Sequence, residues 1–182
     1  MSSNRINERV QITNTVHIIS RTIYLVACAC LISSTAMGQG FIDERDALEG
    51  LYGVYVMGGD LDDNLTASGL QKQDVIASVT SRLINGGIRV LEETEWLMLD
   101  DAPVLHINLQ SSVDDEEHTL YSVELEVFYL VNPISRPDFS AYAVAWGQGK
   151  FGVLGDDGAQ KIMDDLGHLV DRLTSDYNAV NS

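Results

Sequence analysis

The chain has 182 residues, of which 45% are hydrophobic and 21% are charged, and its formal net charge is −16. These values are typical of a globular protein with one domain. A surface this negative repels nucleic acid and anionic lipid headgroups, so the composition argues against a nucleic-acid-binding role. We interpret the charge as a solubility feature, and a dedicated cation-binding surface is the alternative.

The amino-terminal residues 1–38 are predicted to be a signal peptide. A basic region precedes an uncharged apolar run at residues 22–32, and its arginines are Arg5, Arg9 and Arg21. The run fits the apolar part of a signal peptide and is shorter than the roughly 20 residues that span a bilayer as a helix. Ala36 and Gly38 are small residues at the places that a signal peptidase requires, and Ser34-Thr35-Ala36 is a second option for cleavage slightly earlier. The mature chain is therefore predicted to begin at Gln39, which predicts an exported, periplasmic protein.

A second interpretation of the leader stays open. The segment Leu25-Val26-Ala27-Cys28 resembles a bacterial lipobox, in which the cysteine is lipidated and becomes the first residue. Membrane association is expected only if Cys28 is lipidated or the leader is retained. Cys28 and Cys30 are the chain's two cysteines, so a domain that starts at Gln39 has no disulfide, no cysteine-bound metal and no thiol nucleophile.

Hydrophobic periodicity predicts seven elements after the leader. An alternating pattern predicts a strand at 51–57, and a polar turn at 58–64 follows. A helix is predicted at 70–84, capped by Thr66 or Ser68 and ended by Gly86-Gly87. Strands are predicted at 88–98, 104–110, 119–131 and 140–153, the last bent by its glycines. A 3.6-residue apolar period predicts a final helix at 158–177.

This order predicts a single α+β domain over residues 39–182. Two amphipathic helices need one sheet face to cover, which favours a two-layer sandwich with a mostly antiparallel sheet of four or five strands. The other face of the sheet is expected to be exposed to solvent or to contact a partner. Apolar residues on both sides of the long strand, with Leu120, Phe128 and Leu130 on its second side, indicate a binding surface there.

The leader, the element order and the run from Gly69-Leu70 through Leu83 to Gly86-Gly87-Ile88 resemble small bacterial envelope accessory proteins. That class includes LptE-like lipoproteins and the amino-terminal domain of TolB. The resemblance lies in topology, covers most of the chain after the leader and includes no family-specific motif. It implies an accessory or binding role in the cell envelope, not catalysis.

Asp60, Asp62 and Asn64 have the spacing of the first ligands of a calcium loop. That loop also requires glycine at its sixth position and glutamate at its twelfth, where this chain has Leu65 and Gln71. We therefore interpret the segment as a polar turn before a helix.

The histidines, tryptophans and glycines suggest no defined chemistry. His106, His118 and His168 lack the spacing of a zinc-binding helix, and we interpret them as structural or surface residues. The run 147–152 has the glycines of a dinucleotide fingerprint but no helix directly after it, which favours a bent strand. Trp96 and Trp146 are interpreted as core residues, with the lining of a groove as the alternative.

No catalytic, cofactor-binding or metal-binding residue is assigned from the sequence, and no cofactor is expected. The first hypothesis is a non-enzymatic envelope protein whose partner is an envelope protein or a small ligand, and not a nucleic acid. The alternative is a small periplasmic hydrolase-like enzyme. It requires His106 or His118 to lie about 3–4 Å from a carboxylate within a cleft. A third possibility is a carrier that holds an apolar ligand between sheet and helices.

Overall fold

The structure, a computed structural model, describes residues 43–99, 101–155 and 157–182. The predicted signal peptide, Cys28 and the predicted start at Gln39 lie outside these ranges. Within them, no helix has both the length and the apolar character that crossing a bilayer requires.

A four-stranded mixed sheet forms the centre of the fold. Its strands are β1 (Tyr55–Gly58), β2 (Val104–Val113), β3 (Thr119–Val131) and β4 (Ala141–Val153), and they lie side by side in that order. β1 and β2 are parallel, while β2–β3 and β3–β4 are antiparallel. The predicted α+β class and the mostly antiparallel sheet are therefore confirmed.

The helices within the described residues are α1 (Asp63–Ala67), α2 (Lys72–Asn85), α3 (Glu93–Trp96) and α4 (Gly158–Asn181), after a 3-10 helix at Glu44–Leu48. The two long ones, α2 and α4, pack against each other and against the same face of the sheet. This is the two-layer arrangement that the amphipathic patterns predict.

The core lies between the sheet and these two helices. From β3 it receives Tyr121, Val123, Leu125 and Val127, each at most 3% exposed. Val75, Val79 and Leu83 of α2 and the apolar stripe of α4 cover them: Ile162, Leu166, Leu169, Val170 and Leu173. Burying one such side chain contributes about 1.5–3 kcal/mol, so this face defines the sheet register.

Helix α2 ends as predicted and begins later than predicted. Gly86 is its C-cap, and Gly87 has the left-handed φ of 89°, which a glycine adopts without steric cost. At the other end, Gln71 is the N-cap and makes no side-chain capping bond. The predicted caps belong to α1 instead: the hydroxyl of Thr66 donates to the carbonyl of Asp62, and that of Ser68 to the carbonyl of Leu65.

The prediction of a strand at 88–98 is wrong. Only Val90 forms a bridge, parallel to Val54, and the chain then turns into α3. α3 begins with acidic, helix-forming residues, and their carboxylates interact favourably with the positive amino end of the helix dipole. Glu95 also forms an ion pair with Arg89. Without this strand, β1 reaches β2 through the crossover helix α2, which explains their parallel pairing.

The irregularity of β4 lies at Ala145 and not at the glycines. Val127 is paired with Trp146 while Phe128 is paired with Val144, so Ala145 is an extra residue that forms a β-bulge. A bulge exchanges the faces of all later residues. The side of β4 that carries Val144 before the bulge therefore carries Gly147 and Gly149 after it.

Candidate binding face

The face of the sheet opposite α2 and α4 is the candidate functional surface, here called the open face. Strand register places on it Met57 of β1, His106 and Asn108 of β2, Glu124, Glu126 and Phe128 of β3, and Tyr142 and Val144 of β4. The inner residues of β3 are buried, whereas Tyr142 and Val144 are about half exposed, at 52% and 49%. This half-exposed apolar surface agrees with the second face that the alternation predicts.

A cavity of about 250 Å³ opens at one end of this face. We call it the aromatic cavity, since aromatic and apolar side chains line it: Met57, Trp96, Val104, His106, Phe128 and Tyr142. All four strands and the short helix α3 thus contribute walls. Among the described residues that line the cavity, the polar side-chain groups are the imidazole of His106, the hydroxyl of Tyr142 and the indole N–H of Trp96.

Ring contacts hold two of these walls in place. Trp96 stacks on Tyr55 of β1, and its Nε1 donates to the carbonyl of Ala102 at 3.3 Å. Since that bond uses the indole N–H, Trp96 offers the cavity an apolar ring. His106 meets Phe128 edge-on, with ring centroids 6.0 Å apart. Edge-to-face pairs of this kind are a favoured aromatic geometry, so this contact orients the two rings that His106 and Phe128 contribute to the cavity.

The middle of the open face is polar. Asn108 donates its side-chain N–H to Glu124 at 2.9 Å, and Gln110 donates to Asn108 at 3.4 Å. The face therefore has an apolar end and a hydrogen-bonded polar middle that holds two carboxylates, those of Glu124 and Glu126.

The three histidines do not converge. His106 lies in the aromatic cavity, and no described carboxylate makes a hydrogen bond or ion pair with it. His118 does approach Asp114, at 3.2 Å, but on the exposed β2–β3 hairpin and outside any of the cavities described here. His168 is exposed on α4. The geometry that the hydrolase alternative requires, a histidine and a carboxylate together in a cleft, is therefore not found among the described residues.

The calcium-like segment has a structural role. One oxygen of Asp62 accepts hydrogen bonds from the backbone N–H of Leu65 and the hydroxyl of Ser111, and the other accepts from the N–H of Ser111. Burial acts to raise the pKa of Asp62, but these bonds outweigh it and lower the pKa. Asp60 pairs with Lys72 on α2. Hydrogen-bond donors of the protein already occupy both oxygens of Asp62, and these bonds connect α1 to β2. This agrees with the polar-turn interpretation.

The glycine-rich run also contributes to structure. Lys150 lies on the inner side of β4 and contacts Asp165 of α4 at 3.0 Å, and Tyr121 donates its hydroxyl to the same carboxylate at 2.7 Å. Both hydrogen bonds tie α4 to the sheet. The side chain of Asp165 is accordingly only 14% exposed.

Trp146 and Trp96 have different environments. Trp146 is 1% exposed, in the core, and its Nε1 donates to the buried Asp176 at 3.1 Å, a carboxylate that also accepts from Arg172. The core interpretation is therefore right for Trp146, whereas Trp96 follows the alternative and lines the aromatic cavity.

Comparisons with known proteins identify no family. No protein-family model matches the chain. No curated protein sequence matches it. Among solved structures, a minor lipoprotein of Acinetobacter baumannii is similar at 10% identity and a TM-score of 0.33, over 72% of this chain and 93% of that chain. A dodecameric PelC variant from Paraburkholderia phytofirmans is similar at 10% identity and a TM-score of 0.38, over 68% and 88%. Similarities this low indicate no function for this chain.

Most residues of the aromatic cavity are not apparent in the sequence. The alternation of β3 places Phe128 on the second face, and that signal is sufficient for this residue. Met57, Val104 and Tyr142 become neighbours of Phe128 only through strand order and the bulge at Ala145. The place of Trp96 in the cavity depends on the position of α3, and the sequence pattern predicts a strand at 88–98 instead of this helix.

Two further cavities lie at the ends of the sheet. One is near Leu120, Phe151 and Val153, and the other is near Tyr52, Tyr129 and Leu130. No residue of α2 or α4 lines these two cavities or the aromatic cavity. They give no support to a ligand carried between sheet and helices.

Proposed function

We propose that this chain is an exported bacterial envelope protein that binds a partner through its open face and performs no catalysis. The observation that carries the proposal is the one-sided fold: both long helices cover one face, and the other presents the aromatic cavity. A sheet face that retains half-exposed Tyr142 and Val144 beside an aromatic cavity is typical of an interaction surface.

The size of the aromatic cavity favours a protein partner over a small ligand. Pockets for drug-sized ligands typically enclose roughly 300–1,000 Å³ and bury most of the ligand. About 250 Å³ on an open sheet fits one large apolar side chain, with the polar middle of the face beside it. A partner segment that inserts one such side chain matches the way in which buried anchors dominate protein interfaces.

The envelope location is proposed on the leader alone. A basic region, an apolar run of residues 22–32 and small residues before Gln39 favour export with cleavage to a periplasmic protein. Lipidation of Cys28 would instead anchor the same domain to a membrane, and the open face would serve either form.

Site-specific photocrosslinking in the bacterial host tests the proposal. The full chain would carry a photoreactive residue at Val144, beside the aromatic cavity, or at Ser175, on the exposed side of α4. We expect a discrete crosslinked partner from Val144 and none from Ser175. Equal capture from both positions, or capture from Ser175 alone, would refute a role for the open face. Added Trp96→Ala should abolish the Val144 crosslink, whereas the exposed neighbouring change Leu97→Ala should leave it.

A further inference from the structure

We infer that the open face binds a cationic polypeptide segment, in which an apolar side chain enters the aromatic cavity and basic side chains lie over Glu126 and Glu124. This inference rests on the proposed function, because it names the chemistry of the partner at the same face. On this inference, part of the protein's negative charge forms a cation-binding surface and does not serve solubility alone.

The positions of the carboxylates carry the first step. Phe128, Glu126 and Glu124 follow one another on the same side of β3, and Glu126 is paired with His106 of the cavity. Alternate residues of a strand lie roughly 7 Å apart. An extended segment with an apolar residue and basic residues two and four positions away would match all three side chains.

The glycines of β4 leave the carboxylates uncovered. Gly147 is paired with Glu126, and Gly149 with Glu124. A methyl group added to Gly147 would come within 3.6 Å of Cγ of Glu126, and one added to Gly149 within 3.3 Å of Cγ of Glu124. The glutamate side chains therefore lie against positions where β4 has no side chain. The two carboxylates thus lie beside the aromatic cavity, with no side chain of β4 directly opposite them.

The protein supplies no cation to these carboxylates among its described residues. Eight of its 11 basic side chains follow Gly38, against 26 acidic ones. Seven of the eight form ion pairs with aspartates or Glu95, away from Glu124 and Glu126. The eighth, Arg136, lies over the ring of Phe139. A cation that pairs with these two carboxylates must therefore come from a partner.

This charge pattern also selects against other partners. A segment rich in aspartate or glutamate would meet like charge beside the cavity, and like charges opposite each other oppose association. Complementary charges mainly raise the association rate, and salt weakens the attraction because it screens exposed charges. Binding of the correct segment should therefore weaken steadily as the salt concentration rises.

Three capped peptides test the inference on the exported protein, purified after expression of the full chain. Each contains an extended core: Phe-Thr-Lys-Thr-Lys, Phe-Thr-Glu-Thr-Glu, or Ser-Thr-Lys-Thr-Lys. Trp96 lies in the cavity while Trp146 is buried in the core, so a change in tryptophan fluorescence reports occupation of the cavity. We expect the Phe-Lys peptide to bind at least about tenfold more tightly than either of the others in low salt.

Variants with matched charge locate the effect. Glu124→Gln with Glu126→Gln should remove the preference for lysine over glutamate, about a five- to tenfold weakening for the Phe-Lys peptide. Asp115→Asn with Asp138→Asn makes the same change in net charge at exposed loop positions and should leave the preference intact. Circular dichroism and the denaturation midpoint check that both double variants remain folded.

Several outcomes would overturn the inference. These are equal binding of the Glu peptide, no saturable binding of the Phe-Lys peptide, or a lysine preference that survives Glu124→Gln with Glu126→Gln. Equal binding of the Ser-Lys peptide would show attraction to charge alone and would also overturn it. The Val144 crosslink separates the two proposals: a partner captured there without any lysine preference leaves the open-face function standing and rejects only the cationic segment.

Discussion

Trp96 lies flat against Tyr55, with ring centroids 4.7 Å apart and only 14° between the ring planes. This contact joins the short helix α3 to the edge strand β1, although 40 positions separate the two residues in the chain. A four-residue helix has little stability of its own. The stacked rings therefore determine where α3 lies, and with it one wall of the aromatic cavity.

Replacing Trp96 by alanine should damage the cavity more than the fold. The ring is only partly buried, so we expect the free energy of unfolding to fall by about 1–2 kcal/mol, while binding at the open face is lost. Urea denaturation measures the first effect, and the Val144 crosslink measures the second. Leu97→Ala, at a side chain that is 68% exposed, should change stability by less than about 0.5 kcal/mol. If the Trp96→Ala variant gave the full Val144 crosslink, α3 would not be part of the binding surface.

Asp176 should be among the most sensitive polar positions of the core. Its carboxylate is buried and accepts from Nε1 of Trp146 at 3.1 Å and from Nε of Arg172 at 3.0 Å. Asp176→Ala leaves the buried indole N–H without an acceptor, which should lower the free energy of unfolding by about 2–3 kcal/mol.

The matched control is Arg172→Ala, which breaks the same ion pair from its exposed side. The Arg172 side chain is 61% exposed, so we expect a loss below about 1 kcal/mol. The denaturation midpoints of the two variants measure the two losses of stability. Equal losses would mean that the exposed ion pair, and not the indole hydrogen bond, accounts for the contribution of Asp176.

The long elements are predictable because one physical signal dominates each of them. β3 is predicted at 119–131 and found at Thr119–Val131, since its alternation persists over the whole strand and its inward residues from Tyr121 to Val127 are buried. α4 begins at Gly158 as predicted and ends four residues later than predicted. Its apolar stripe against the core sets the helix, while residues 178–181 contain no glycine or proline that would signal its end.

The short segments are decided by contacts far away in the sequence. Residues 88–98 have apolar residues at both strand and helix spacings, and the choice depends on the stacking of Trp96 on Tyr55 and the pairing of Glu95 with Arg89. The same holds for the site. Alternation alone places Phe128 on the open face, whereas Tyr142 reaches the cavity only because β4 pairs with β3 in the observed register. A sequence pattern contains no measure of such pairings.

The predicted processing of the leader has a direct test by mass measurement. If residues 1–38 form a cleaved signal peptide, the protein recovered from the periplasm should begin at Gln39 and lack both cysteines. Gly38→Leu should block processing, because the peptidase requires a small residue there. Recovery in the membrane fraction with a diacylated Cys28, lost on Cys28→Ser, would instead show the lipid-anchored form.

Stability in acid should depend on Asp165. Burial acts to raise the pKa of this carboxyl, but hydrogen bonds from Tyr121 and Lys150, with the charges of Lys150 and Lys161, lower it below its ordinary value of 3.8. A lowered pKa in the folded state means that the ionised form is the stabilising one. The contribution is therefore complete above the ordinary pKa and is lost as the pH falls through the lower, folded value.

Asp165→Asn should consequently reduce the free energy of unfolding at neutral pH and make its decline below about pH 4 less steep than in the wild type. Urea titrations from neutral to acid pH measure this difference, and the comparison with wild type cancels the other carboxylates. Asp60→Asn is the control, because the pKa of Asp60 is also lowered, by the hydrogen bond from Lys72, but its side chain is 98% exposed. Its effect should vanish in about 1 M salt, where charges are screened within about 3 Å, while that of the partly buried Asp165 should persist. Identical acid slopes for Asp165→Asn and the wild type would show that the Tyr121–Asp165–Lys150 network does not stabilise the ionised carboxylate.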